Sequence, residues 1–184
     1  MSMSKALVII DIQNDYFAGG RMPLAVPEAA AARAATLLEA FRKRGAPVFH
    51  VQHISTRPGA TFFLPETDGV MIYDSVAPRD GERVIVKHFP NAFRETSLAE
   101  DLRAAAVDEL LFVGMMTHMC IDTSVRAAAD LGFRCSVAAD ACATRELAWG
   151  GQTVDADRVH TAFLAALNGA FARVVPATEL LDGM

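Results

Sequence analysis

Cysteine is scarce in this chain: three in 184 residues, at Cys120, Cys135 and Cys142. An odd number without tight spacing does not make a disulfide framework, so all three read as reduced thiols. C-x-x-C is absent, which leaves a thiol redox protein without a resolving partner. Positive charge is in deficit, with 17 Lys and Arg against 22 Asp and Glu for a net charge of -5. Neither nucleic acid nor a membrane surface attracts an acidic protein, so neither is expected as a partner. No apolar run approaches the length of a membrane span, and the start, MSMSKALVIID, lacks a signal-peptide core. A soluble cytoplasmic protein is the expectation. Repeats, low-complexity tracts and dividing linkers are also missing, so residues 1–184 read as one domain.

What is present is core-forming sequence, 52% apolar over a length that supports a full hydrophobic core. Ala6 to Ile10 is a short apolar run rich in β-branched residues, read as a buried parallel strand ending at Asp11. Pro27 and Glu28 open a helix with Ala34, Leu37, Leu38 and Phe41 on one face, stopped by Gly45. Pro47–His53, Glu82–Lys87, Leu110–Val113, Arg134–Ala139 and Ala172–Val175 supply five more strands. Helices are expected after the capping-box pattern Ser97-Leu98-Ala99-Glu100, from Cys120 to Gly132, around Val159–Ala166, and at the chain end. Strands alternating with helices predict an α/β fold, a three-layer α/β/α domain with a six-stranded parallel sheet of Rossmann-like order 3-2-1-4-5-6. The region holding Pro58, Gly59, Pro65, Gly69 and Pro78 fits no single element, and Trp149-Gly150-Gly151 reads as loop.

Ligands in such sheets bind beyond the carboxyl ends of the strands. Asp11, Lys87 and Cys120 each follow a different strand, so all three emerge on one edge. A carboxylate can take a thiol proton, an ammonium can hold the ion pair, and a thiolate can attack a carbonyl. Cys120, placed near a helix N-terminus, is expected to favour the thiolate. Each residue alone has a plainer reading: a cap for Asp11, a solvated strand end for Lys87, a small packing residue for Cys120.

Three ordered motifs, DIQNDY, KHFPNAF and GMMTHMC, make nearly the whole chain resemble the isochorismatase-like cysteine hydrolases. No G-x-G-x-x-G follows the first strand to support dinucleotide binding instead. The resemblance implies Cys120 as nucleophile, Asp11 as proton acceptor and donor, and Lys87 as the cation that keeps the pair ionised. It also implies a cis peptide between Met115 and Met116, with the Met116 and Cys120 N–H groups forming an oxyanion hole. The implied reaction is hydrolysis of a C–N bond of a small amide through a thioester.

Nicotinamidases of the family hold a metal through D-x-H; the matching Val51-Gln52-His53 has no aspartate, so neither metal nor cofactor is expected. True isochorismatases, which cleave a vinyl ether, lack the cysteine, and the intact trio argues against a purely binding protein on the same fold. Candidate pocket residues are Phe17, His53, Phe62, Phe89, Thr117 and His118. Thr117 is otherwise expected to hydrogen-bond its own turn. Family members are mostly dimers or tetramers, which implies a homo-oligomer.

Overall fold

Seven residues from Ser4 to Ile10 form β1, and its last five are buried because the strand runs through the middle of the sheet. The structure, a computed structural model, describes residues 4–182. Helix α1 (Pro27–Lys43) follows, then β2 (Val48–His53), β3 (Arg83–Lys87), α2 (Leu98–Ala104), β4 (Val107–Met115), α3 (Asp122–Asp130) and β5 (Arg134–Ala143). A two-stranded hairpin, β6 (Leu147–Trp149) and β7 (Gln152–Val154), precedes α4 (Ala156–Leu167), β8 (Arg173–Val175) and α5 (Ala177–Asp182). The main sheet has the order β3-β2-β1-β4-β5-β8, and every pairing in it is parallel. With β8 as its sixth strand, this is the expected order.

Alternation along the strands divides the core into two layers. Leu7, Ile9, Leu111, Val113 and Met115 pack with α1 and α5, while Ala6, Val8, Ile10, Leu110 and Phe112 pack with α2, α3 and α4. Each fully buried aliphatic side chain of this kind contributes roughly 1.5–3 kcal/mol. Pro27 begins α1, Arg42 and Lys43 complement its carboxyl end, and Gly45 follows at φ +62°. Strand order reverses between β1 and β4, where Ile10 pairs with Gly114. A Cβ at Gly114 would lie 2.0 Å from the Ile10 carbonyl oxygen, and its φ is +138°. The two backbones meet there too closely for any other residue.

Three local expectations are corrected. β5 does not stop at Ala139: Phe112 pairs with Val137 and Gly114 with Cys142, so β5 bulges through Asp140 and resumes. Cys142 therefore lies inside the strand rather than after it. Ser97 makes no capping bond to α2; its hydroxyl donates to the Asp101 carboxylate at 2.7 Å, which also takes Arg83. The Trp149-Gly150-Gly151 segment is a hairpin turn, with φ +58° and +74° at the two glycines, the left-handed geometry that tight hairpins favour.

Candidate active site

Asp11 leaves β1 in the left-handed region at φ +52°, its N–H bonded to Val51 O at 3.0 Å, and its side chain is fully buried. Short polar residues tolerate this conformation best. Lys87 closes β3 in register with His53 at the end of β2, and it too is fully buried. Cys120 sits in a wide π-type turn, Thr117–Ile121, that runs directly into α3, and is 4% exposed. The Met115–Met116 peptide entering this turn is cis, and the Met116 N–H makes no backbone hydrogen bond among the described residues.

The three side chains converge. Lys87 Nζ lies 2.6 Å from Asp11 Oδ2 and donates to Cys120 Sγ at 3.3 Å. His53 Nδ1 stands 3.0 Å from the same ammonium. Asp11, His53 and Cys120 offer donor atoms within 4.8 Å of one another, a spacing a metal ion could bridge. The Lys87 ammonium stands among all three, so a metal there would have to displace it.

Burial works against the Lys87 charge, yet the facing Asp11 and Cys120 outweigh it and hold the amine protonated. Burial is also the main reason that the Cys120 thiol is pushed well above its ordinary range; Asp11 adds to that and Lys87 opposes it. Burial thus works against the thiolate that the helix end was expected to favour, while the Lys87 ammonium works for it. Moving the proton from sulfur to Asp11 leaves the charge of the cluster unchanged, so the base is already in place. Burial lowers His53 to about 4, so its ring is neutral near pH 7 and accepts from Lys87.

Of the other candidates, His53 belongs to this centre, as the third partner of Lys87. Phe62 is half-buried and packs on Tyr16 and Phe63, at 6.0 and 4.9 Å between centroids. Phe17 instead stacks on Tyr73 at 3.6 Å in the core, and Phe89 lies under the Arg94 guanidinium. Thr117 does not bond its own turn: its hydroxyl meets Ala143 O at 3.2 Å and His160 Nδ1 at 2.9 Å, tying the turn to β5 and α4. His118 Nδ1 lies 2.5 Å from Thr144 Oγ1.

Several supporting residues escaped the sequence reading. Gln13 donates to His53 O and Val70 O and accepts from the His53 N–H, clamping the end of β2 beside the long loop. Asp15 accepts from the Phe63 and Arg21 N–H groups. Both lie in DIQNDY, the signal that could have found them. Tyr16, from the same motif, is buried against Phe63, and that burial, ahead of the neighbouring Cys120 and Asp11, raises its phenol well above the ordinary range.

An isochorismatase domain family model matches residues 5–179. The isochorismatase family protein YddQ of Bacillus subtilis (strain 168) is 54% identical over 172 residues, covering 94% of this chain and 96% of its own. Nicotinamidase 3 of Arabidopsis thaliana is 28% identical over 187 residues, covering 95% of this chain and 86% of its own. A crystal structure from Oleispira antarctica, described as an isochorismatase hydrolase, superposes with a TM-score of 0.95 at 50% identity, covering 100% of this chain and 98% of its own. Similarity of sequence and fold along nearly the whole chain, around an acid, a lysine and a cysteine, places the protein in the isochorismatase-like hydrolase family.

Proposed function

We propose that this protein hydrolyses a C–N bond of a small amide through a thioester on Cys120. The observation that carries the reading is the Lys87 ammonium held between Asp11 at 2.6 Å and Cys120 at 3.3 Å, all three buried. The similarity to a nicotinamidase supports an amide as the substrate class.

Asp11 takes the Cys120 proton as sulfur adds to the amide carbonyl carbon, and the carbonyl electron pair moves onto oxygen. The Met116 and Cys120 N–H groups receive that oxyanion; preorganised donors of this kind contribute about 3–4 kcal/mol. Lys87 offsets the charge on sulfur while Asp11 is neutral. Collapse breaks the C–N bond, and Asp11 returns its proton to the departing amine. Water then adds to the thioester with Asp11 as base, and the second collapse releases the acid and restores the thiol. His53 accepts from Lys87 throughout and keeps the ammonium aimed at the pair.

Three free buried cysteines support a reducing cytoplasmic setting for the protein. Trp149, 90% exposed at the hairpin tip, supports self-association through that region; a monomer in light scattering at micromolar concentration would sink this part. The chemistry is tested by an ammonia-release screen over small amides. Release by the parent protein and none by Cys120→Ala is expected, and release by Cys120→Ala refutes the thioester.

A further inference from the structure

Met116, whose N–H receives the oxyanion in the proposed reaction, is bracketed on both sides by a single residue of β5. Met115 before it pairs in the sheet with Ala143. Thr117 after it places its hydroxyl 3.2 Å from the Ala143 carbonyl oxygen. The Met116 carbonyl is held separately, accepting from the Met119 and Ile121 N–H groups at 3.0 and 3.2 Å. The closed bracket fixes the direction of the Met116 N–H, and its second half depends on one hydroxyl proton.

That proton has a second acceptor within reach. His160 Nδ1 stands 2.9 Å from the same Thr117 oxygen. A hydroxyl carries one hydrogen and accepts through its lone pairs. If the ring accepts at Nδ1, the hydroxyl turns to it and its bond to Ala143 is lost. If the ring carries hydrogen on Nδ1, it donates to Thr117, and the hydroxyl is free to donate to Ala143. Thr117 is fully buried and His160 half-buried, which favours the arrangement that makes both bonds. Burial holds the ring below its ordinary pKa, against the Ala139 carbonyl and Asp157, so near pH 7 it has one proton to place.

Helix α4 meets the turn at a second point. Phe163, one helical turn beyond His160, packs edge-on to the His118 ring at 5.9 Å between centroids. His118 Nδ1 lies 2.5 Å from Thr144 Oγ1, just past β5. Helix and strand end thus grip residues 117 and 118 together. The sulfur of Cys120 answers to a different partner, Lys87 at 3.3 Å. The oxyanion donor and the nucleophile are therefore positioned by separate sets of residues.

We infer that His160 is a positioning residue: it donates from Nδ1 to Thr117, leaves the Thr117 hydroxyl to Ala143, and so aims the Met116 N–H at the oxyanion. This rests on the amide-hydrolase reading and adds the residue, on a distant helix, that sets one of its two backbone donors.

Two reactions of Cys120 tell the two sets apart. With p-nitrophenyl acetate, sulfur bonds to the carbonyl carbon, whose oxygen takes up negative charge. The C–O bond to the nitrophenyl group then breaks, nitrophenolate leaves, and the thiol proton passes to Asp11. With iodoacetamide, sulfur bonds to the methylene carbon, the C–I bond breaks with loss of iodide, and the same proton passes to Asp11; no oxyanion forms. Acylation is followed as the nitrophenolate release that Cys120→Ala lacks, and alkylation by peptide mass spectrometry. His160→Phe, a ring without a donor, should lower the acylation-to-alkylation ratio about tenfold or more, with alkylation unchanged. Thr117→Val should lower it equally, and the double variant no further. His160→Asn, whose amide puts an N–H near the place of Nδ1, should restore most of the ratio, with melting curves verifying that each variant folds. An unchanged ratio in folded His160→Phe or Thr117→Val, an equal fall in both reactions, or no recovery in His160→Asn overturns the positioning role while leaving the hydrolase reading standing. Failure of either reagent on the parent Cys120 instead overturns its reading as an acyl-accepting nucleophile, and this inference with it.

Discussion

Lys87 is the residue whose removal separates a built ion cluster from an accidental one. In Lys87→Met, the Asp11 carboxylate, fully buried and 2.6 Å from the ammonium in the parent, is left without a counter-charge. Breaking a buried pair from one side typically costs about 3–5 kcal/mol. Asp11→Asn in the same background removes the orphan charge and should recover stability, with a coupling of at least about 2 kcal/mol. Activity should fall as well, because Lys87 faces sulfur at 3.3 Å. At an effective dielectric near 20, that distance corresponds to about 5 kcal/mol of thiolate stabilisation, an upper figure once water enters the vacated space. A loss of roughly a thousandfold in kcat/KM is the expectation. The assays are urea denaturation of the four proteins of the cycle at pH 8, and amide turnover of each. Should Lys87→Met unfold within about 1 kcal/mol of the parent at pH 8, with negligible coupling to Asp11, the reasoning about this cluster is wrong.

Two further outcomes follow from the same coordinates. His53, lowered to about 4 by burial, stays neutral in the folded protein while the unfolded chain takes up its proton near pH 6.5. Its contribution is therefore intact above pH 6.5 and is lost as pH falls toward 4, by about 2–3 kcal/mol at most. Glu82, lowered to about 2 chiefly by its bond to Arg42, extends the loss below pH 4.5; urea midpoints that stay flat from pH 7 to 4.5 would contradict the His53 part. Gly114→Ala should cost at least about 3 kcal/mol, since its Cβ would meet the Ile10 carbonyl at 2.0 Å. A melting temperature within 2 °C of the parent, on a scale of roughly 2–4 °C per kcal/mol, would show that the strands can part there.

The fold was legible because its signals are local and repeated: β-branched runs, a proline-opened α1, and glycines at helix ends. Those same strands put Asp11, Lys87 and Cys120 on one edge of the sheet without any knowledge of distance. What escaped depends on contacts between segments distant in sequence. Ser97 and Glu100 have the spacing of a capping box, but the serine hydroxyl donates to the Asp101 carboxylate instead. The strand end expected at Ala139 is a bulge, and the Asp140 carboxylate within it accepts from the Ala177 N–H at the start of α5. The partners of Phe17 and Phe89 in space, Tyr73 and Arg94, were likewise out of reach of local sequence signals. Thr117 illustrates the converse: nothing around it in the sequence announces its bonds to Ala143 and His160, which only the folded chain brings to it. The burial that opposes a Cys120 thiolate was not legible either, because a helix N-terminus is visible in a sequence and desolvation is not.

The most direct test of the central claim is intact-protein and peptide mass spectrometry of the enzyme acid-quenched during turnover of a hydrolysed amide. The account predicts an adduct on Cys120 with the mass of the acyl group, absent from Cys135 and Cys142 and from Cys120→Ala, which should also release no amine. Sustained amine release by Cys120→Ala would contradict it.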